Sequence, residues 1–287
     1  MEYPGLEDLI KRALEEDIGY GDITTQSLIP AGQIARGLFV AKTPGVVAGI
    51  RVSEAVFRHL DNEVEFEVLK GDGENVLPGD VIAAVQGRAR TLLTGERTAL
   101  NFLQRLSGIA TKTRKVVELV EGSGAQLVDT RKTTPGLRVL EKSAVRLGGA
   151  RNHRFGLFDG VIIKDNHIQA VGSIGRSVAA ARQKVPHTVK IEVEVENLTQ
   201  LREALEAGAD IIMLDNMDVG QMAEAVRIVG GRVLLEASGG INESNIAEVA
   251  RTGVDFISMG ALTHSAASLD ISLDLVEMDL CLPGFDS

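Results

Sequence analysis

The chain has 287 residues, one cysteine and no tryptophan. A lone thiol, Cys281, excludes an intramolecular disulfide and a cysteine metal cluster. Aromatic residues make up 3% of the chain and the net charge is −10. That combination provides neither the stacking platforms nor the broad basic surface of a general nucleic-acid binder, so no nucleic-acid partner is expected. No apolar run approaches the ~18 residues that suggest a membrane span. The N-terminal MEYPGLEDLIKRALEED is acidic and amphipathic, where a secretory signal would be basic and then apolar. No membrane partner is expected, and the cytoplasm is the expected location.

Against this acidic background the cations are unevenly placed. Between Thr130 and His167 stand Arg131, Lys132, Arg138, Lys142, Arg146, Arg151, Arg154 and Lys164, against Glu141, Asp159 and Asp165, a local balance of +5. Such a concentration is either a solvated basic face or an anion site. Arg131 and Lys132 follow an apolar strand-like run from Gln126 to Thr130 and precede Thr-Thr-Pro-Gly, which stops a strand. Leu137 to Leu147 has helical periodicity, with Arg138, Lys142 and Arg146 on one stripe and Leu137, Leu140, Ala144 and Leu147 opposite. That cationic face is as consistent with solvation as with binding. His153 and Arg154 lie in a short loop after Gly148-Gly149, and Lys164 and His167 follow the run Gly160 to Ile163. Cations at the ends of successive elements are how an α/β protein builds a pocket for a multiply charged anion.

From about Leu127, six β-rich runs alternate with helical patterns: QLVDT, GVIIKDN, TVKIEVEV, DIIMLDN, RVLLEAS and VDFISMG. Strand ends near Asp215, Ser238 and Gly260 are 23 and 22 residues apart, the length of a compact βα unit. The expected fold class is therefore α/β, with an open, irregular barrel of about six parallel strands whose chemistry sits at the C-terminal strand ends. Before it, runs near Gly37 to Ala41, Val64 to Leu69 and Val81 to Val85, separated by Pro-Gly and Gly-Asp-Gly turns, suggest small antiparallel β structure with helices. Thr94 to Val120 reads as one long helix.

Glu192, Glu194 and Glu196 alternate with apolar residues, which puts them on one strand face. For Glu192 and Glu196 an exposed edge is the simpler expectation. Ser238-Gly239-Gly240 and Gly260-Ala261 follow the last two strands, where barrel enzymes commonly hold phosphate on backbone N–H groups. His153, in a polar Gly-bounded loop, suits an anion donor. His167 suits a capping role equally well, and His59 and His187 read as surface groups. The Pro-Gly-Asp turn within Gly71 to Val85 resembles a lipoyl or biotin carrier hairpin, but its tip has no lysine.

The strings TRKTTPGLR, GGARNHRFGL, IKDNH, EVEVEN, LDN, EASGGI and MGALTHS, in that order, resemble the quinolinate phosphoribosyltransferase family over nearly the whole chain. The resemblance implies an N-terminal α/β sandwich domain (1–110), an α/β barrel (111–265) and a C-terminal tail (266–287) returning to the first domain. It implies quinolinate and phosphoribosyl pyrophosphate as substrates and nicotinate mononucleotide, diphosphate and CO2 as products. It places Arg131, His153, Arg154 and Lys164 on the dicarboxylate and Lys132 toward the diphosphate. Glu194 and Asp215 fall on the ribose and its Mg2+, and His264 on the last barrel loop. Arg97 would be contributed across a homodimer with shared active sites, or within a larger assembly. Hard oxygen ligands without clustered cysteine or histidine suit Mg2+ rather than zinc. Neither a Walker sequence nor the two-acid phosphoribosyl pyrophosphate signature of the other major transferase class occurs. Two enzymatic alternatives stay open: a barrel relative acting on nicotinate or another pyridine, and a Schiff-base aldolase using Lys164.

Overall fold

A computed structural model of the chain describes residues 5–276. These divide into two compact units, one of residues 5–112, 139–148 and 266–276, the other of residues 113–138 and 149–265. Residues 277–287 of the expected tail lie outside the described residues.

The first unit contains α1 (Leu6–Ile18), α2 (Ile23–Leu28), β1 (Ile34–Ala41), β2 (Gly45–Val46), α3 (Ile50–Leu60), β3 (Glu65–Val68), β4 (Asn75–Val76) and β5 (Val81–Arg88). The division falls within the next helix, α4 (Ala89–Val120). β12 (Ile271–Val276) adds to the edge of β1, giving an antiparallel sheet in the order β12-β1-β5-β3. Phe39 of β1, Phe57 of α3 and Phe66 of β3 pack with ring centroids 5.8 to 6.3 Å apart, which seats α3 on the sheet. The hairpin-like stretch from Gly71 to Val85 is built into this unit. Asp72 there accepts hydrogen bonds from the Gly49 and Ile50 N–H groups at 2.7 and 3.0 Å, capping the start of α3.

The second unit contains β6 (Gln126–Val128), β7 (Val161–Ile163), α6 (Asp165–Val171), α7 (Ile174–Lys184), β8 (Ile191–Val195), α8 (Leu198–Glu206), β9 (Ile211–Asp215) and α9 (Val219–Val229). It is completed by β10 (Leu234–Ser238), α10 (Ile246–Ala250), β11 (Phe256–Ser258) and α11 (Ala261–His264). All six strands are parallel, in the order β6-β11-β10-β9-β8-β7. Arg151 adds a parallel bridge to Val128 beyond β6. His153, two residues on, reaches side chains of β8 and β10 in the middle of the sheet, so the sheet curls into an open barrel. The strand starts are tied together by one device used twice. Asp210, just before β9, accepts the Ile191 N–H of β8 at 2.8 Å, and Asp255, just before β11, accepts the Leu235 N–H of β10 at 2.7 Å. Asn197 caps α8, and Asp218 with Gln221 forms a capping box on α9, so the loops leaving β8 and β9 turn sharply into their helices.

Two sequence expectations fail here. Glu192 is not on an exposed edge: β8 lies between β7 and β9, and Glu192 faces the barrel interior at 3% exposure. Ile191, Val193 and Val195 on the opposite face are fully buried as well, so the alternation separates two interior faces rather than core from solvent. The helix α5 (Arg138–Leu147) does not present a single cationic face. Lys142 is 2% exposed and Glu141, its neighbour, is completely buried and paired with Arg105 at 2.9 Å. Arg138 is half-buried and donates to Thr133 Oγ1 and the Phe155 carbonyl, while Arg146 remains exposed.

Candidate active site

A cavity of about 620 Å³ opens at the C-terminal ends of the barrel strands. After β6, Thr130 Oγ1 accepts the Lys132 N–H at 3.0 Å and Thr263 Oγ1 donates to the Lys132 carbonyl at 2.8 Å, so the Arg131-Lys132 loop is held on both sides. A Cβ at Gly260 would lie 3.0 Å from Lys132 Cδ; glycine there lets the lysine stem pass. Arg131 and Lys132 are exposed and have no ion-pair partner among the described residues. Arg154 is half-buried and donates to the Gly160 carbonyl at 2.8 Å. Burial, and then the neighbouring charge of Arg131, holds its guanidinium below the usual value, the signature of cations gathered ahead of an anion. Lys164 starts α6, its N–H bonded to His167 Nδ1 at 3.0 Å, and its ammonium pairs with Glu194 of β8. His167 is therefore a capping residue.

On the inner wall, His153 is pinned by its N–H to Asp129 Oδ1 at 2.8 Å, and Asn152 donates to the other Asp129 oxygen at 2.7 Å. Its Nε2 lies 3.3 Å from both Glu192 and Glu236. Burial alone would lower the imidazole pKa; the hydrogen bonds to the two carboxylates outweigh it and push it up to about 10. Burial raises Glu192, and Glu236 raises it further against the pull of His153. The three groups therefore hold an extra proton through the neutral range. His153 Nδ1 accepts the Arg154 N–H at 2.6 Å, which turns Nε2 toward the two carboxylates. The extra proton therefore belongs to the cluster as a whole, with the imidazole and the carboxylates titrating together rather than as separate groups. One imidazole and two carboxylates within 4.8 Å could in principle ligate a cation. A metal-bound imidazole, however, donates from its other nitrogen, and this one accepts.

Across the cavity, Asp215 ends β9 and accepts from Asn216 Nδ2 at 2.9 Å. Asn216 has φ 53°, unusual for a residue with a side chain, and its N–H donates to the Ser238 carbonyl at 2.9 Å. The loops after β9 and β10 are thereby locked together. Gly239 (φ 87°) and Gly240 (φ 63°) follow, and a Cβ on Gly239 would stand 2.3 Å from Asn216 Oδ1. This loop has to be glycine to lie against its neighbour with backbone N–H groups free to meet an anion.

Comparison with known proteins bears directly on this arrangement. The C-terminal domain of quinolinate phosphoribosyl transferase matches residues 109–274 and the N-terminal domain residues 22–107. The chain belongs to the quinolinate phosphoribosyltransferase family. It is 48% identical over 275 residues to the probable nicotinate-nucleotide pyrophosphorylase [carboxylating] of Bacillus subtilis (strain 168), covering 96% of this chain and 95% of that protein. It is 47% identical over 280 residues to nicotinate-nucleotide pyrophosphorylase [carboxylating] of Mycobacterium leprae (strain TN), covering 96% and 98%. The crystal structure of NadC from Streptococcus pyogenes superimposes with a TM-score of 0.93 at 43% identity, covering 97% of this chain and all of the other.

In this family member, Arg131, Lys132, His153, Arg154, Lys164, Glu194, Asp215 and Ser238-Gly239-Gly240 all line the one cavity. Gly260 stands beside Lys132 without lining it, and Ala261 and His264 lie on α11, with His264 bonded to Ser265 at 2.6 Å. Arg97 is exposed on α4 in the first unit. His59 and His187 are exposed, as the sequence suggests. Sequence reasoning missed Glu236 and Asn216, both on the cavity lining. A signal for Glu236 existed: it precedes Ser238 by two residues on the same strand, as Glu192 precedes Glu194, and period two puts each pair on one face.

Proposed function

We propose that this cavity transfers the phosphoribosyl group of phosphoribosyl pyrophosphate to the ring nitrogen of quinolinate, with loss of the 2-carboxylate as CO2, giving nicotinate mononucleotide and diphosphate for NAD biosynthesis. The observation that carries the reading is the composition of one wall against the other. Four cationic side chains, Arg131, Lys132, Arg154 and Lys164, share the cavity with Glu194, Asp215 and a glycine loop. Planar guanidinium groups match the two adjacent ring carboxylates. Lys132, anchored through its backbone, meets the charge that develops on diphosphate as it departs. Glu194 and Asp215 hold the ribose hydroxyls, and Ser238-Gly239-Gly240, with Gly260-Ala261 beside it, receives the 5-phosphate. No covalent nucleophile is needed.

The two carboxylates also fit Mg2+ brought in on the diphosphate: Asp215 has no cationic partner among the described residues, and both offer hard oxygen donors. Such an ion would neutralise charge on the leaving group. In the same reading the protein works in the cytoplasm as a homodimer, or a larger assembly, in which Arg97 completes a neighbour's site. No helix among the described residues is long and apolar enough to cross a membrane. A Schiff-base role for Lys164 is disfavoured, because its amine is tied to Glu194 and would have to leave that ion pair to attack a carbonyl. The test is incubation with phosphoribosyl pyrophosphate, Mg2+ and quinolinate. Nucleotide, diphosphate and CO2 should appear in equal amounts, and their absence would refute the reading.

A further inference from the structure

The reaction proposed above consumes a proton. When the bond between ring carbon C2 and its carboxylate breaks, the electron pair stays on C2 and must be protonated as CO2 leaves. The groups best placed to meet the substrate's charges are already engaged. The guanidinium groups have no proton to give near neutral pH, Lys164 is paired with Glu194, and Lys132 is taken up by the diphosphate in the reading above. His153 directs its Nε2–H at two carboxylates and its Nδ1 at the Arg154 N–H.

Glu236 is placed differently. It is 3% exposed, yet it lines both the active cavity and a second cavity of about 230 Å³ that reaches toward the N-terminal ends of the strands. One carboxyl oxygen lies 3.3 Å from His153 Nε2, while the other, Oε1, is buried without any hydrogen-bond partner. An unpaired buried carboxylate oxygen is costly. A carboxylic acid whose O–H finds its acceptor only when substrate arrives removes that conflict.

We propose that Glu236 is the acid that protonates C2 during decarboxylation, an inference that rests on the function given above. As the C2–carboxylate bond breaks and CO2 departs, the electron pair on C2 takes the proton from Glu236 Oε1. The O–H pair remains on Glu236 as a carboxylate, and the Nε2–H of His153 stabilises that charge from the far oxygen. A solvent proton then restores the acid through the second cavity. Asp159 and Lys190, both exposed, are part of that cavity's lining, as is Glu192.

The test is Glu236→Gln, which keeps an acceptor for His153 and has no acidic proton. Under single-turnover conditions, with quinolinate labelled in the 2-carboxylate, diphosphate and labelled CO2 are measured separately. Diphosphate release should fall no more than about tenfold, while CO2 release falls ~10²–10⁴-fold, the usual worth of a positioned acid. The undecarboxylated nucleotide should accumulate, and Glu236→Asp should recover part of the CO2 release. Equal losses in both products would mean that Glu236 only holds His153, and unchanged CO2 release would mean that it donates nothing; either result overturns the proposal. A wild-type protein that forms neither product would instead refute the parent reading of function.

Discussion

Gly239→Ala and Gly240→Ala make a matched pair of perturbations, because the two glycines share a left-handed backbone but not the same surroundings. At Gly240, with φ 63°, an added Cβ meets nothing within 4 Å. Only the backbone penalty applies there, about 1–2 kcal/mol. At Gly239 the same methyl group would lie 2.3 Å from Asn216 Oδ1 and 2.9 Å from the Asn216 backbone nitrogen. Asn216 has little room to retreat, because its N–H is bonded to Ser238 and its amide to Asp215, and its own φ is already positive. The contact deficit is about 1 Å, which the loop after β10 must absorb by moving. A displacement of that size in a positioning group typically costs ~10²-fold in rate. The expected outcome is loss of stability in urea unfolding for both variants, larger for Gly239→Ala because the clash adds to the backbone penalty. In kcat/KM for phosphoribosyl pyrophosphate, Gly239→Ala should fall ~10²-fold or more and well below Gly240→Ala. Equal kcat/KM values for the two variants would refute the account of this loop as a locked phosphate cradle.

Arg131→Ala should chiefly raise KM for quinolinate and Lys132→Ala chiefly lower kcat, each losing ~2–5 kcal/mol of transition-state binding; near wild-type kcat/KM in steady-state assays would remove the residue from its role. Because the folded state raises the His153 pKa from 6.5 to about 10, the His153, Glu192 and Glu236 cluster binds more protons folded than unfolded. Its contribution is complete below the unfolded value and is lost as pH rises through about 10. Urea unfolding should therefore show wild-type stability declining over that window, and a variant with all three residues changed to glutamine should decline less; identical slopes would contradict the shared proton. Inactive Arg97→Ala and Lys132→Ala subunits, dissociated and reassociated together, should recover about a quarter of wild-type activity if sites are shared across a dimer. No recovery despite proven exchange would place Arg97 elsewhere.

The strand-end cations were legible in the sequence because Thr-Thr-Pro-Gly, Gly-Gly and the boundaries of short apolar runs mark where strands stop, and a charge at such a stop has few places to go. The parallel barrel was legible from the near-constant spacing of those stops. The interior was harder. Alternation along β8 assigns Glu192 a face but does not say whether that face meets water or the inside of a barrel, and the answer depends on its neighbours β7 and β9. Lys142 poses the same problem on a helix: periodicity groups it with Arg138 and Arg146, yet it is buried and Arg146 is not. Glu236 escaped notice as one acid within an apolar run, and the positive φ of Asn216 showed in the sequence only as a residue type that tolerates it.

The central claim is that the cationic wall is built for two ring carboxylates. The most direct measurement is the ratio of kcat/KM for quinolinate to that for nicotinate, with diphosphate followed for both and CO2 for the first. A site whose cationic donors are covered by the bound dicarboxylate should reject the acid that lacks the second carboxylate, by up to ~10⁴-fold where those donors are shut off from water unpaired, with CO2 matching diphosphate one for one on quinolinate. Comparable turnover of nicotinate, or diphosphate release from quinolinate without CO2, would contradict it.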